Sequence, residues 1–230
     1  MNEKDRIENI YYKYSSSQKY TYKWSNTRLG NQLIEKERFI KIKNLFKSNS
    51  IELKNKIIID IGCAGGNTIS LLKNLGASEK NICGIDLREK RLNIAKKSFP
   101  KANFELMDAR KIKFPDQSFD FINVFTVLTS ILDSDHRHSV SKELVRILRP
   151  GGYILYYDFR FNNPFNKNVR GIKLEEIKLL FPNMEKDLKL ITVFPPMIRM
   201  LSGLAKNLYP VFSKTSFLKT HYLSLIKKAN

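Results

Sequence analysis

Three acids carry the clearest chemical purpose in this chain, because each closes or interrupts an apolar run beside small residues. Asp60 stands in Ile57-Ile58-Ile59-Asp60-Ile61 and opens the spacing Asp60-x-Gly62-x-Ala64-x-Gly66. Asp86 ends the run Asn81–Asp86, 20 positions after Gly66, and Asp108-Ala109 follow the run Asn103–Met107. A loop of small residues between a buried strand and a helix lets the backbone approach a ligand and presents free N–H groups at the helix start. An acid at the end of the next strand can accept hydrogen bonds from both hydroxyls of a ribose. A third acid can take an adenine amino group. The loop lacks the Gly-x-Gly-x-x-Gly spacing that suits a pyrophosphate, so the ligand it suits carries an adenosine without a phosphate.

The elements that must position these acids alternate between strand and helix. Thr68–Leu75 puts Ile69, Leu72 and Leu75 at helical spacing after the first strand. Leu87–Ala95 reads as the second crossover helix, with Pro100 after its end. Residues 119–127 are nearly all apolar and predict a central strand, whose end at Val127–Asp133 lies at the carboxyl edge where open α/β sheets bind ligands. Ser134 is the expected cap of a helix over 135–148. That helix holds His136 and His138, two positions apart and so on different faces, a poor metal pair. His136 lies near the ligand edge and is a candidate general base. Pro150-Gly151-Gly152 turns into a fifth strand, Tyr153–Asp158, and Asp158 is the second catalytic candidate. Arg160, Asn162 and Asn163 follow it and could orient a polar, hydroxylated substrate. The fourth strand offers no matching acid pair, so no metal site is expected.

Across residues 55–160 the chain resembles the class I S-adenosylmethionine-dependent methyltransferases. The resemblance rests on Asp60 to Gly66, Asp86, Asp108-Ala109, the strand Phe119–Phe125 and Leu148-Arg149-Pro150-Gly151-Gly152. One departure is Ala64, where that family more often has Gly. The resemblance implies a Rossmann-like, seven-stranded, mostly parallel sheet of order 3-2-1-4-5-7-6 with helices on both faces. It also implies S-adenosyl-L-methionine as cofactor and S-adenosyl-L-homocysteine as product. Asp60, Gly62, Cys63, Ala64 and Gly66 would back the methionine and ribose, with Asp86 and Leu87 at the ribose. Asp108 and Ala109 would meet the adenine, and Phe125 would flank the sulfur.

Residues 1–50 form an expected N-terminal cap and first helix, in which Tyr11, Tyr12, Tyr14, Tyr20, Tyr22 and Trp24 crowd a basic segment. Such rings can exclude water from a transferring methyl and touch a sulfonium. Leu33, Ile34, Glu37, Phe39, Ile40, Ile42, Leu45 and Phe46 then predict a helical face. Residues 51–194 are the expected cofactor-binding core. Residues 195–230 are read as an amphipathic insertion, with Met197, Leu201, Leu204 and Leu208 on one face of a helix over 197–209, and a last edge strand from Thr220 to Ile226. That helix is basic and can rest on a membrane surface.

With 230 residues the chain can bury a substantial core. Its two cysteines, Cys63 and Cys83, imply no disulfide framework. The charged start and the lack of an apolar run of about 18 residues predict a bacterial-type cytoplasmic protein without a membrane span. The net charge is +19, yet it is spread: residues 160–230 hold 13 Lys/Arg against 4 Asp/Glu, and residues 1–55 hold 12 against 6. A nucleic-acid partner therefore remains open without being favoured. No Asn/Asp-Pro-Pro-Tyr ends the fourth strand, and no cysteine follows the fourth or fifth. The expected reaction is methyl transfer to a small-molecule acceptor, on a hydroxyl of a sugar, lipid-linked saccharide or natural product. An RNA methyltransferase and a non-catalytic scaffold are the alternatives. The sequence carries no signal for an oligomeric state.

Overall fold

A computed structural model describes residues 3–23, 25, 27–163 and 166–230. Its centre is one seven-stranded sheet of order β3-β2-β1-β4-β5-β7-β6. The strands are β1 (Ile58–Ile61), β2 (Ile82–Asp86), β3 (Asn103–Leu106), β4 (Phe119–Phe125), β5 (Leu148–Phe159), β6 (Glu185–Val193) and β7 (Lys219–Lys227). Strands β3 to β5 in spatial order pair in parallel, while β7 is antiparallel to both β5 and β6. The expected order and mostly parallel character are thus both present. β1 and β2 are buried at every position, as strands covered on both faces must be.

Helices cover the two faces. On one face α3 (Leu29–Ser48), α4 (Asn67–Asn74) and α5 (Glu89–Ser98) bring Ile42, Phe46, Ile69, Leu72, Leu92 and Ala95 against the apolar side chains of β1 and β2. On the other, α6 (Ser134–Ile147) and α7 (Leu174–Leu180) bury Val140, Leu144, Ile147, Ile177 and Leu180. The predicted face of α3 is mostly in the core, but Ile40 points outward.

Several boundaries differ from the expected ones for local reasons. β4 ends at Phe125 rather than 127, because Thr126 takes φ +54° and turns the chain out of the sheet. The cap of α6 is Asp133 and not Ser134: its carboxylate accepts the His136 N–H at 2.8 Å. β5 starts at Leu148, five residues early. Gly151 takes φ +70° and lets the strand run through the expected turn, past an irregular register between Phe119 and Phe121.

The helix expected over 197–209 is broken in two. α8 (Pro195–Met200) and α9 (Ala205–Phe212) flank a single turn at Ser202–Leu204. Gly203 sits in that turn, where helix propensity is low. The buried face is Ile198, Ala205 and Tyr209, packed with Ile34 and Val193, whereas Leu204 faces solvent. At the other end, α1 (Glu3–Ser16) and α2 (Gln18–Lys23) lie over the carboxyl edge of the sheet. Arg6 donates to the Ser130 carbonyl, the Leu132 N–H donates to Glu3 at 2.7 Å, and Tyr11 Oη bonds Ser130 Oγ at 2.7 Å. Trp24, singled out in the sequence, lies outside the described residues.

Candidate active site

The loop from β1 to α4 alternates left-handed residues: Gly62 (φ +66°), Ala64 (φ +47°) and Gly66 (φ +89°). A Cβ on Gly62 would lie 2.8 Å from Val127, and one on Gly66 2.6 Å from the Phe99 ring. Glycine is therefore required twice, by conformation and by space. The Cys63 N–H donates to the Ile85 carbonyl at 3.0 Å and the Ala64 N–H to the Asp86 carboxylate at 2.9 Å, which ties the loop to the end of β2. Between loop and strand end lies a cavity of about 190 Å³. Six of the ten residues expected at the cofactor line it: Gly62, Ala64, Asp86, Leu87, Ala109 and Phe125. The other oxygen of Asp86 accepts from the Arg88 backbone N–H at 2.9 Å and from Arg88 Nε at 3.1 Å. The Arg88 guanidinium in turn stacks 4.6 Å from the Tyr11 ring centre, so α1 closes over this cavity.

A second cavity, of about 420 Å³, opens beside the first. Tyr11, Thr126 and Ser130 border both, and so form the neck between them. Thr126 is a β-branched residue held at positive φ, a conformation that such residues adopt only when the surroundings enforce it. Its N–H donates to the Tyr157 carbonyl at 2.7 Å. The larger cavity is walled by rings (Tyr14, Tyr157, Phe159, Phe194), by the amides of Asn162, Asn163 and Asn166, and by the cations Arg38 and Arg199.

Residues 59–156 match the family described as "Methyltransferase domain". The chain contains a methyltransferase domain similar to those of the class I S-adenosylmethionine-dependent methyltransferases. It is 30% identical over 151 residues to a demethylmenaquinone methyltransferase of Lactobacillus johnsonii, covering 63% of this chain and 59% of that one. It is 33% identical over 119 residues to a phthiotriol/phenolphthiotriol dimycocerosates methyltransferase of Mycobacterium tuberculosis, covering 50% and 42%. The matched stretch thus spans about half the length of these relatives. Among solved structures, a SAM-dependent methyltransferase of Methanosarcina mazei superposes with a TM-score of 0.60 at 20% identity, over 80% of this chain and 97% of that one, which speaks for the shared fold. The family match and the fold indicate S-adenosylmethionine as the cofactor.

The other expected cofactor residues of this methyltransferase domain do not line the cavity. Asp60 is buried and accepts from Asn123 Nδ2 at 2.6 Å and from the Thr68 hydroxyl. Burial pushes its carboxyl up to about 7, against the pull of those two donors. It ties β1 to β4 and to α4. Cys63 is buried under the loop, and burial pushes its thiol well above the ordinary range. Gly66 caps α4. Asp108 accepts from the Arg110 backbone N–H at 2.9 Å and from its guanidinium at 2.7 Å, while Ala109 faces the cavity.

Neither catalytic candidate lines either cavity. His136 lies on the first turn of α6, half-exposed, 3.2 Å from Arg110. Asp158 is fully buried under the loop after β4, where it accepts from Thr129 N–H at 3.2 Å, from the Thr129 hydroxyl and from Phe159 N–H at 3.2 Å. Burial pushes its carboxyl up to about 7. Arg160 packs on Phe161 and Tyr222 and is also outside the cavity walls, whereas Asn162 and Asn163 line the larger one. Among the described residues no group of His, Cys, Asp and Glu could hold a metal ion.

His221, on β7, is a cavity residue that the sequence reading passed over. Its ring stacks on Tyr157 with centroids 4.5 Å apart, and Nδ1 lies 2.8 Å from the Thr220 hydroxyl. Burial, with Arg38 and Arg199 nearby, pulls its pKa down to about 3, so the imidazole is neutral at pH 7. Thr192 beside it takes φ +65° where the β6–β7 pairing skips one residue pair without a change of register. Its N–H donates to Glu37 at 2.9 Å and its hydroxyl bonds Tyr157 Oη at 2.9 Å. Only a lone histidine in an apolar strand could have signalled this wall.

Proposed function

We propose that this chain transfers the methyl group of S-adenosylmethionine to a hydroxyl of a small-molecule acceptor, of the sugar, lipid-linked saccharide or natural-product kind. The observation that carries the reading is the pair of adjoining cavities that share Tyr11, Thr126 and Ser130. Bound cofactor supplies an electrophilic methyl on a sulfonium. The chain's own work is then alignment and exclusion of water. Asp86 would hold the ribose hydroxyls, Ala109 would sit at the adenine, and Phe125 at the sulfur. Arg88 must leave one oxygen of Asp86 for the ribose to take it. Tyr11 and Ser130 close the neck through which the methyl passes. The larger cavity lies within the roughly 300–1,000 Å³ usual for small-molecule sites, and it is bounded by α1, α3 and α8, which suits a compact acceptor better than a nucleic-acid strand. The names of the relatives point the same way, to a quinone and to lipids. The division into an N-terminal cap over 1–50, a core over 51–194 and an insertion over 195–230 fits this division of labour.

The deciding experiment is calorimetric titration of S-adenosylmethionine and S-adenosylhomocysteine into the wild type and Asp86→Ala, followed by labelled-methyl transfer to a panel of hydroxylated acceptors. Binding that is lost or weakened at least about tenfold by the substitution supports the reading. A well-folded wild type that binds neither compound overturns it. So does transfer only to RNA, with binding that weakens steeply as salt rises.

A further inference from the structure

The larger cavity holds two guanidiniums that form no ion pair with a carboxylate among the described residues. Arg38, on α3, makes no ion pair with any described residue; it lies 5.2 Å from the Tyr157 ring centre and 5.6 Å from that of Phe125. Its Nε is shielded from solvent and has no hydrogen-bond partner. A buried donor without an acceptor is costly, and in a cavity wall it marks the place of an acceptor that a ligand brings. Arg199, on α8, uses Nε on the Asn31 side-chain oxygen at 2.8 Å and pairs with no described acid. Both guanidiniums line the same cavity as His221. Glu35, exposed on the rim, is the one carboxylate among the lining residues. The imidazole of His221 is held neutral and stacked, so it adds no competing charge of either sign at pH 7.

We propose that Arg38 and Arg199 bind an anionic group, a carboxylate or a phosphate, on the acceptor, so that the enzyme selects acceptors that pair a hydroxyl with an anion. Planar guanidiniums suit both anions, and guanidiniums without an ion-pair partner reward them most. The rings of Tyr157, Phe159 and Phe194 take the apolar body of the acceptor. The amides of Asn162 and Asn166 line the same cavity and are available to its hydroxyls. The inference rests on the methyltransferase reading above. Its competitor is that these arginines hold the carboxylate of the cofactor's methionine.

The test uses the full chain saturated with S-adenosylhomocysteine. Into it are titrated matched pairs: aromatic hydroxy-acids beside their methyl esters, and sugar phosphates beside the free sugars, for the wild type, Arg38→Gln and Arg199→Gln. The expected result is that anions bind at least about tenfold tighter than their neutral partners, and that either substitution cuts this preference to about threefold or less. The affinity for S-adenosylhomocysteine stays within about threefold of wild type in both variants. Circular dichroism checks their fold. An absent preference across the panel, or one that survives both substitutions, overturns the inference and leaves methyl transfer standing. Variants that lose S-adenosylhomocysteine instead of the anion assign the arginines to the cofactor and also overturn it. A wild type that does not bind S-adenosylhomocysteine removes both readings at once.

Discussion

The N–H of Ala64 donates to the carboxylate of Asp86 at 2.9 Å, so a residue of the first loop fixes the acid at the end of the second strand. Ala64 does this at φ +47°, where a Cβ is unfavourable by roughly 1–2 kcal/mol. Ala64→Gly keeps the N–H and relieves the strain, offset by the freer unfolded chain. Urea unfolding should show a gain between zero and about 1 kcal/mol, with unchanged binding of S-adenosylhomocysteine. Ala64→Pro cannot reach this φ and has no N–H; its binding should fall at least about tenfold.

Asp60 is expected to act in the core and not on the ligand. Asp60→Ala leaves the Asn123 amide and the Thr68 hydroxyl without their acceptor in a buried site. The loss should be about 2–3 kcal/mol in urea unfolding. Asp60→Asn keeps one accepting oxygen and should cost less. If Asp60→Ala loses cofactor binding at full stability, Asp60 contacts the ligand directly.

Tyr11 couples the N-terminal arm to both cavities. Tyr11→Phe loses the bond to Ser130 Oγ but keeps the ring over Arg88. It should bind S-adenosylhomocysteine within about twofold of wild type. Tyr11→Ala should weaken binding about three- to tenfold and expose α1 to limited proteolysis. Unchanged affinity in Tyr11→Ala would show that the arm is no lid.

His221 gives the fold an acid-sensitive point. Its folded pKa, about 3, lies below the ordinary 6.5, so its contribution is complete above pH 6.5 and is lost as pH falls toward 3. At pH 5.5 the loss from this group is about 1.4 kcal/mol. Asp60 and Asp158, raised to about 7, act in the opposite sense: their contribution is present below about pH 4 and is lost as pH rises through 7. Both carboxyls stay in His221→Asn, so the difference between wild type and variant isolates the histidine. Thermal melts from pH 7.5 to 5 should show a smaller decline in the variant.

The broken insertion presents Met200 and Phe217 to solvent, 83% and 78% exposed, together with Leu204 and Val211. Residues 188–230 hold seven Lys/Arg and no Asp or Glu. No helix among the described residues is long and apolar enough to cross a membrane. The expected partner of this face is an anionic bilayer surface. Sedimentation with phosphatidylglycerol vesicles should recover the wild type, and Met200→Asp with Phe217→Asp should reduce recovery several-fold. Equal recovery of the variant, or equal binding to neutral vesicles, would dismiss a specific contact.

Much of the cofactor half was legible because its demands are local. β-branched runs such as Ile57–Ile61, the left-handed positions at Gly62 and Gly66 and the acid after each strand are consequences of neighbours in sequence, and the family resemblance they carry implied the sheet order. Helix and strand ends were less legible. The turn at Thr126 and the cap at Asp133 depend on hydrogen bonds to Tyr157 and His136 that a linear pattern does not show.

The sequence by itself determined the fold class, the small-residue loop after the first strand and the acid that ends the second, since hydrophobic periodicity and glycine spacing act over a few residues. Only the tertiary structure decided which side chains wall the larger cavity. Tyr11, Arg38, Tyr157, Arg199 and His221 come from five separate elements, and they meet because β7 folds back between β5 and β6 while α1 and α3 close over the edge. It also withdrew Asp158 from that cavity, because a carboxylate on a strand end is drawn inward wherever unpaired backbone and hydroxyl donors are buried beside it, as those of Thr129 are.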